Sequence, residues 1–427
     1  MFVYSNPPRD QWQDFCRRNI PDDDEIEAAV ESIISTVRSK GDAALFEYAS
    51  RFDHYDGQEL RVSEKEIDEA ASRVAPEVAE AILKAADNIR AFHEAQLPKP
   101  VEVETMPGVV CTQRAVAIRR VGLYIPGGRA PLFSTVLMLA IPAKIAGCRE
   151  VVLCTPENGE TGIAPEILFA AKTCGIDKVF RVGGAQAIAA MAYGTDSIPA
   201  VDKIFGPGNR FVTKAKQIVS RVTAIDMPAG PSEVMVMADE TACPTYVAAD
   251  MLSQAEHGPD SQAIAVCSSS KIADEIRDDV ERLAETLPRQ DSVNGSLSHS
   301  RILIFNDRDE MIDFANEYAP EHLIISMSNP WETASCITAA GSIFIGNFSP
   351  ESAGDYASGT NHTLPTSGWA RSFSGVNIDS FMHKITYQEL TQEGLDGLKS
   401  VITTMAKAEG LYAHALAVEV RTGKNPI

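Results

Sequence analysis

Between residues 116 and 237, short apolar runs alternate with stretches of helical periodicity, and this alternation restricts the possible fold more than any other feature of the sequence. Strands that alternate with helices of about 10–15 residues form βαβ units and a mainly parallel sheet. Three predicted strands end in glycine-containing turns, which are Pro126-Gly127-Gly128, Gly183-Gly184 and Gly206-Pro207-Gly208. Because the carboxyl ends of parallel strands meet at one edge of a sheet, we expect these turns to line a ligand crevice.

A second alternating series extends from Asp239 to Ile345, so the chain is predicted to contain two α/β units. A length of 427 residues also exceeds what one small core accommodates. We therefore predict an α/β fold with two Rossmann-like parallel-sheet units, an N-terminal arm and a helical C-terminal tail. In chain order, the predicted parts are the arm at residues 1–20, a first, discontinuous α/β domain at 21–120 and 234–376, a second α/β domain at 121–233, and the helical region at 377–427.

The composition argues against several kinds of partner and favours a reducing compartment. The formal net charge is −21, which argues against nucleic acid and anionic membranes because both bind basic surfaces. The eight cysteines form no Cys-x-x-Cys pair, so we expect them to be reduced and not to bind a metal. The N-terminus lacks a signal-peptide pattern, and no apolar run has the length of a membrane span. We therefore expect a cytoplasmic protein.

The turn Gly206-Pro207-Gly208 begins like a dinucleotide-binding fingerprint but is incomplete. The third glycine is missing, and no acidic residue stands at a strand end about 20 residues further on. Alone, this turn is more ordinarily a tight strand–helix connection. Together with the other two glycine turns it favours a ligand crevice, without indicating which ligand binds there.

A metal site would have to be assembled from distant loops. Six of the eight histidines lie between His257 and His414, but none are spaced as His-x-x-x-His. Gln254 and His257 are one helical turn apart and therefore share a face. Asp355 or His362, together with His414, could complete a set of N and O ligands suited to Zn²⁺ or a similar ion. For any one of these histidines, an ordinary hydrogen-bonded residue is the simpler interpretation.

Acid–base chemistry is indicated by Glu321 and His322, which stand side by side after a proline at the start of an apolar run. An imidazole can exchange protons near neutral pH. The spacing alone fits an ordinary polar loop equally well. A second polar loop, from Gly354 to His362, follows the apolar run Gly341–Gly346 and is a further candidate for the site.

Several longer segments resemble the histidinol dehydrogenase family, and the resemblance covers essentially the whole chain. The matching segments are residues 122–128, 206–209, 254–262, 318–323, 349–366 and 409–414. The resemblance implies a zinc-dependent enzyme that oxidises L-histidinol through L-histidinal to L-histidine and reduces two NAD⁺. It also implies a homodimer with shared active sites, in which the region 377–427 mediates dimerisation.

The resemblance also assigns roles to residues at matching positions of this sequence. The implied ligands of one Zn²⁺ per subunit are Gln254, His257, Asp355 and, from the other subunit, His414. The implied substrate contacts are these four residues together with Ser232, His322, His362 and Glu409. The implied NAD contacts are Tyr124, Gln186 and Asn209, and the implied catalytic pair is Glu321 and His322.

Three alternatives remain open on the sequence. A relative on the same scaffold could oxidise another amino alcohol or a polar diol. A zinc hydrolase would also use a metal with Glu and His, although the glycine-turn crevice argues against it. A non-catalytic binding protein would not need so many matched polar residues.

Overall fold

The computed structural model describes residues 1–18, 24–127, 131–157, 159, 161–228 and 230–423. The strands are β1 (Phe2–Ser5), β2 (Val101–Met106), β3 (Val109–Ala117), β4 (Arg120–Tyr124), β5 (Glu150–Thr155), β6 (Lys178–Arg181), β7 (Lys203–Phe205), β8 (Ala224–Ile225), β9 (Glu233–Ala238), β10 (Gln262–Cys267), β11 (Arg301–Ile304), β12 (His322–Ser326), β13 (Ser342–Ile345) and β14 (Met382–Leu390). The α-helices are α1 (Trp12–Phe15), α2 (Asp24–Lys40), α3 (Asp42–Asp53), α4 (Glu64–Ala71), α5 (Pro76–Glu94), α6 (Phe133–Ala146), α7 (Pro165–Thr173), α8 (Gly184–Tyr193), α9 (Arg210–Val219), α10 (Pro244–Ala255), α11 (Ser270–Ala284), α12 (Gln290–Leu297), α13 (Arg308–Tyr318), α14 (Pro330–Ala334), α15 (Glu351–Tyr356), α16 (Gln392–Ala408) and α17 (Tyr412–Thr422). Short 3₁₀ segments occupy Arg9–Gln11, Trp369–Arg371 and Ile378–Phe381.

A five-stranded parallel sheet has the order β6-β5-β4-β7-β8. The chain adds strands on one side of β4 and then on the other, which is the doubly wound arrangement. The central positions of β4 to β7 are buried and apolar, as the sequence pattern predicts, and charged residues stand at the strand ends. Helix α6 beside this sheet is buried along nearly its whole length, in keeping with its uniformly apolar sequence.

A six-stranded parallel sheet has the order β1-β11-β10-β9-β12-β13. It repeats the same winding, because β9, β10 and β11 follow one another outward and β12 and β13 lie on the opposite side of β9. The N-terminal arm contributes β1, which pairs with β11 at the sheet edge. The predicted fold class, two Rossmann-like parallel-sheet units, is confirmed.

Helices α2 to α5 pack beside the five-stranded sheet. Helix α2 contacts α8 and α9, α4 contacts α7, and α5 contacts α6 and α7. In α2 the apolar positions Val30, Ile34 and Val37 share one face and join a core cluster with Ile188 and Val212. The sequence-based domain boundaries stay a prediction, but this packing differs from the grouping of 21–120 with 234–376, since periodicity identifies a buried face and not its partner.

The chain forms two compact units, Met1–Gln96 with Ile118–Phe381 and Leu97–Ala117 with Met382–Ile427. Both parallel sheets belong to the first unit. The second unit contains an antiparallel sheet, β14-β3-β2, and the paired helices α16 and α17. The prediction that 377–427 is helical is therefore wrong for Met382–Leu390, whose β-branched and aromatic residues instead pair with β3 over nine positions. Residues 19–20 of the arm and 424–427 of the tail lie outside the described residues.

The described helices include none with the combination of length and apolar character that crossing a membrane requires.

Candidate functional site

The imidazole of His322 is the centre of a buried acidic cluster at the amino-terminal edge of the six-stranded sheet. His322 is the first residue of β12 and is 4% exposed. Its Nδ1 lies 3.6 Å from Glu351 Oε1 and 3.7 Å from Glu321 Oε2, and its Nε2 lies 3.5 Å from Asp355 Oδ1. Burial opposes the charged imidazole, but the three carboxyl groups outweigh it and raise the pKa of His322 to about 10.

Glu321 reaches the same cluster as its neighbour His322. The two residues would point to opposite faces if both were in a regular strand, but Glu321 precedes β12, and its carboxylate accepts the backbone N–H of Glu233 at 2.9 Å. Burial raises the pKa of Glu321 to about 8. The two residues of the predicted acid–base pair therefore lie in one site. One is a carboxyl group and the other an imidazole, and the pKa of each is raised.

Glu351 was not predicted from the sequence, although it is central to the cluster. It is 1% exposed at the start of α15, and burial raises its pKa to about 8. The backbone N–H of Glu351 donates to the buried carboxyl group of Asp250, which caps α15 from a neighbouring helix. The spacing of Glu351 and Asp355 was an available signal, because residues four apart share one face of a helix.

Three of these groups could hold a metal ion. Ligand atoms of His257, Glu351 and Asp355 all lie within 4.8 Å of one another. Gln254 is fully buried, and neither its Oε1 nor its Nε2 has a hydrogen-bond partner within the described part of the chain. A buried amide without a partner is costly, and a bound cation would satisfy its oxygen. The nitrogen and oxygen donors, without thiolate, suit zinc or a similar divalent ion.

His362 joins this cluster to the five-stranded sheet. Its Nδ1 lies 2.9 Å from the backbone oxygen of Asp355, and its Nε2 lies 3.1 Å from the hydroxyl of Thr135 on α6. The adjacent Asn361 donates to the backbone oxygen of Met138 at 2.6 Å. The loop that ends at His362 thus spans from the carboxylate cluster to the helix beside the glycine turns.

The three residues implied for NAD lie at the carboxyl edge of the five-stranded sheet. The Tyr124 hydroxyl accepts the backbone N–H of Gly184 at 3.1 Å, Gln186 is buried in the first turns of α8, and Asn209 caps α9 through its Oδ1. Gly206 has φ +127, and a Cβ there would lie 2.1 Å from the Tyr124 carbonyl oxygen. The turns therefore converge as predicted, except that Gly128 lies outside the described residues.

The remaining predicted residues are placed as follows. Ser232 immediately precedes β9, and its carbonyl accepts the backbone N–H of Gln262 at 3.2 Å. Glu409 and His414 belong to the second compact unit, where both side chains are exposed. Their proposed roles in substrate and metal binding stay predictions.

The comparisons with known proteins agree with one another. The family model described as histidinol dehydrogenase matches residues 16–422. A histidinol dehydrogenase of Bacteroides fragilis is 54% identical over 422 residues, which cover 99% of both chains. One of Vibrio parahaemolyticus is 54% identical over 402 residues, which cover 93% of this chain and 92% of the relative. The crystal structure of histidinol dehydrogenase from Elizabethkingia anophelis superposes with a TM-score of 0.96 at 47% identity, covering 99% of this chain and 98% of that one.

Two doubly wound sheets, a buried carboxylate–imidazole cluster and glycine turns at the carboxyl edge of one sheet are typical of an α/β enzyme. The extent of the family match and the sequence identity are decisive for the family. The chain belongs to the histidinol dehydrogenase family.

Proposed function

We propose that the protein is a zinc-dependent four-electron oxidoreductase that converts L-histidinol through L-histidinal to L-histidine with two NAD⁺, in the last step of histidine biosynthesis. The observation that carries this proposal is the cluster of His257, Glu351 and Asp355, which surrounds His322 and its neighbour Glu321. The buried amide of Gln254, which has no partner among the described residues, supports a metal site here. Family membership supports the substrate and the cofactor.

The residues present fit a resident metal. Gln254, His257 and Asp355 would bind Zn²⁺, with His414 from the other subunit completing the set. When bound, the ion would hold the imidazole and amine of histidinol and would offset the carboxylate charge around His322. Glu351 is near enough to these ligands to add an oxygen or to neutralise charge.

With the charge of the three surrounding carboxylates offset by a bound cation, the pKa of His322 would fall, and the neutral imidazole would be the base that removes the alcohol proton. Its Nδ1 lies 3.3 Å from the backbone oxygen of Glu233, so in the neutral imidazole this nitrogen carries the hydrogen and Nε2 accepts a proton. Nε2 has no hydrogen-bond partner by geometry within the described residues. As the proton passes to His322, the carbinol carbon would lose a hydride and become the aldehyde carbon. Bound NAD⁺ would supply the hydride acceptor and would be released as NADH.

Glu321 activates the water of the second half-reaction. Its carboxylate is held by the Glu233 N–H beside His322, and its raised pKa suits a general base near neutral pH. Water adds to the aldehyde to give a gem-diol, and a second hydride transfer yields the carboxylate. Substrate is positioned by Ser232, His362 and Glu409. NAD is contacted by Tyr124, Gln186 and Asn209.

We further propose a cytoplasmic homodimer with shared active sites. Glu409 and His414 are exposed in this single chain. Their exposure supports the proposal that they contribute to the active site of a second copy, where they would contact substrate and metal. Neither nucleic acid nor membrane is expected to bind, given the net charge of −21.

The stoichiometry of coupled NADH formation tests the reaction. Purified protein supplied with L-histidinol and NAD⁺ should form two NADH for each histidine, and chelation should abolish the reaction until zinc is restored. A ratio of one NADH, or no turnover, would refute the four-electron assignment. Full activity in demonstrably metal-free protein would refute the zinc requirement.

A further inference from the structure

The carboxylate of Asp53 lies against the Gly183–Gly184 turn at the carboxyl edge of the five-stranded sheet. A Cβ added to Gly183 would lie 3.2 and 3.3 Å from its two oxygens, and the Gly183 N–H donates a hydrogen bond to it. Its Oδ2 is shielded from solvent and has no hydrogen-bond partner among the residues that the structure describes. A buried carboxylate oxygen in this state favours a ligand that donates a hydrogen bond.

The groups around Asp53 come from three successive strand ends. Thr155 ends β5, and its fully buried hydroxyl also has no partner among the described residues. Pro156 follows, and its side chain lies 2.6 Å from a Cβ built on Gly183 and 3.2 Å from one built on Gly127. A side chain at Gly183 would collide with Pro156, and one at Gly127 would press against it. The two unpartnered oxygens therefore lie at turns where glycine allows this close approach of Pro156.

In a doubly wound sheet, dinucleotides cross this edge, and a carboxylate accepts hydrogen bonds from the adenosine ribose. The usual position for that carboxylate is close to the end of the second strand, and the first acidic residue after β5 is Glu157. Glu157 is instead engaged by Arg181 at 2.9 Å, and Arg181 also binds Glu66 at 2.7 Å. Glu157 is thus committed to an ion pair, whereas Asp53 Oδ2 accepts no hydrogen bond from any residue that the structure describes.

We propose that Asp53 accepts hydrogen bonds from the adenosine-ribose hydroxyls of NAD and makes the enzyme select NAD over NADP. This inference rests on the proposed use of NAD. A 2′-phosphate would replace a hydroxyl donor by an anion next to a carboxylate, so NADP binds less well. Arg181, which is 8% exposed and lies between two carboxylates, does not compensate. Burial raises the pKa of Asp53 to about 6, although the hydrogen bond from the Gly183 N–H acts in the opposite direction. The carboxyl group is therefore largely ionised at neutral pH.

The test compares the binding of NADH and NADPH to the zinc-loaded full-length protein by cofactor fluorescence. Asp53→Asn has the same shape and keeps an acceptor for the Gly183 N–H but loses the charge. We expect this substitution to weaken NADH binding by on the order of tenfold, because charge-assisted hydrogen bonds are lost. NADPH binding should be weakened less, so the ratio of the two affinities should decrease. Asp56→Asn is the matched control, because Asp56 is exposed in the same turn and contacts Ser50, and it should leave both affinities unchanged.

The outcomes separate this inference from the proposed function. If the unsubstituted protein turns over histidinol and prefers NADH, but Asp53→Asn keeps both affinities and their ratio, the assignment of Asp53 is wrong. If the unsubstituted protein binds neither cofactor, the proposed function itself fails. Thermal unfolding of Asp53→Asn shows whether the variant is folded. An NADH analogue that lacks the 2′-hydroxyl of the adenosine ribose tests the proposed hydrogen bond independently. The unsubstituted protein should bind it more weakly than NADH, and equal binding would also overturn the assignment.

Discussion

The strongest prediction concerns Gln254, whose replacement should have opposite consequences for the metal-free fold and for its response to zinc. Gln254 is fully buried, and both polar atoms of its amide lack a partner within the described residues. Gln254→Met preserves length and approximate volume while removing these polar atoms. The substitution should therefore stabilise the metal-free protein and weaken its zinc site.

The size of each effect can be estimated from the groups that lack a partner in the metal-free protein and in the zinc-bound protein. A buried polar group without a partner costs about 1–3 kcal/mol, so Gln254→Met should raise the free energy of unfolding of metal-free protein by about that amount. Losing a group that orients or binds the metal weakens affinity by about 10–100-fold. At saturating zinc, the zinc-induced gain in stability should then be lower by about 1.4–2.8 kcal/mol.

Urea unfolding with and without saturating zinc measures both effects, and chelator competition gives the zinc affinity directly. Gln262→Met is the matched control, because Gln262 is also a buried glutamine. Its amide donates to the His299 carbonyl at 3.1 Å and accepts from the Tyr318 hydroxyl at 2.7 Å. The control should destabilise the metal-free protein by about 1–3 kcal/mol and leave the zinc-induced gain unchanged.

Two results would contradict this reasoning. If Gln254→Met destabilises the metal-free protein as much as Gln262→Met does, the amide of Gln254 is already satisfied and is not a vacant ligand. If zinc stabilises Gln254→Met as strongly as the unsubstituted protein, the residue does not contribute to the metal site. Either result would leave His257, Glu351 and Asp355 as the whole ligand set of this chain.

Further predictions concern the base, the cluster, the dimer and the crevice. His322→Asn should lower the rate of NADH formation by about 10²–10⁴-fold with zinc retained, and loss of zinc in a metal assay would instead indicate a structural role. Glu351→Gln should lower zinc affinity by about 10–100-fold in chelator competition, and unchanged affinity would remove it from the site. Inactive His414→Ala mixed with inactive His257→Ala should regain activity through hybrid dimers, and no recovery under demonstrated subunit exchange would argue against shared sites. Gly206→Ala, at φ +127, should lower stability in urea by more than about 1 kcal/mol and weaken NADH binding, whereas a neutral effect would show that the turn relaxes freely.

The parallel sheets could be predicted from the sequence because their strands are buried on both faces. Continuous apolar runs separated by helices allow few other folds. The partner of each amphipathic helix is not encoded in its period, and so the packing of α2 on α8 and α9 could not be predicted. Strand Met382–Leu390 is largely exposed, and without a buried face its alternation gave no contrast with a helix.

The candidate site was predictable to the extent that its residues belong to unusual local combinations. The pair Glu321-His322 and the spacing of Gln254 and His257 are such combinations, and the structure brings His322, His257 and Asp355 together. Glu351 escaped prediction because a carboxylate in the first turn of a helix ordinarily serves the helix dipole. Its backbone N–H donates to Asp250, which lies about a hundred residues earlier in the chain and cannot be paired with it by pattern.

In the proposed reaction, the hydride acceptor and the proton acceptor lie at different edges of the two sheets, a carboxyl edge and an amino edge. The glycine turns lie at the carboxyl edge of the five-stranded sheet, where backbone N–H groups and helix N-termini favour a dinucleotide. His322 lies instead at the amino edge of the six-stranded sheet, where strand β12 begins after Glu321. The contacts of His362 with Thr135 and with the Asp355 backbone connect the two edges. A hydride acceptor and a proton acceptor on separate sheets can thus address one carbinol from different sides, which is the arrangement that paired hydride and proton removal requires.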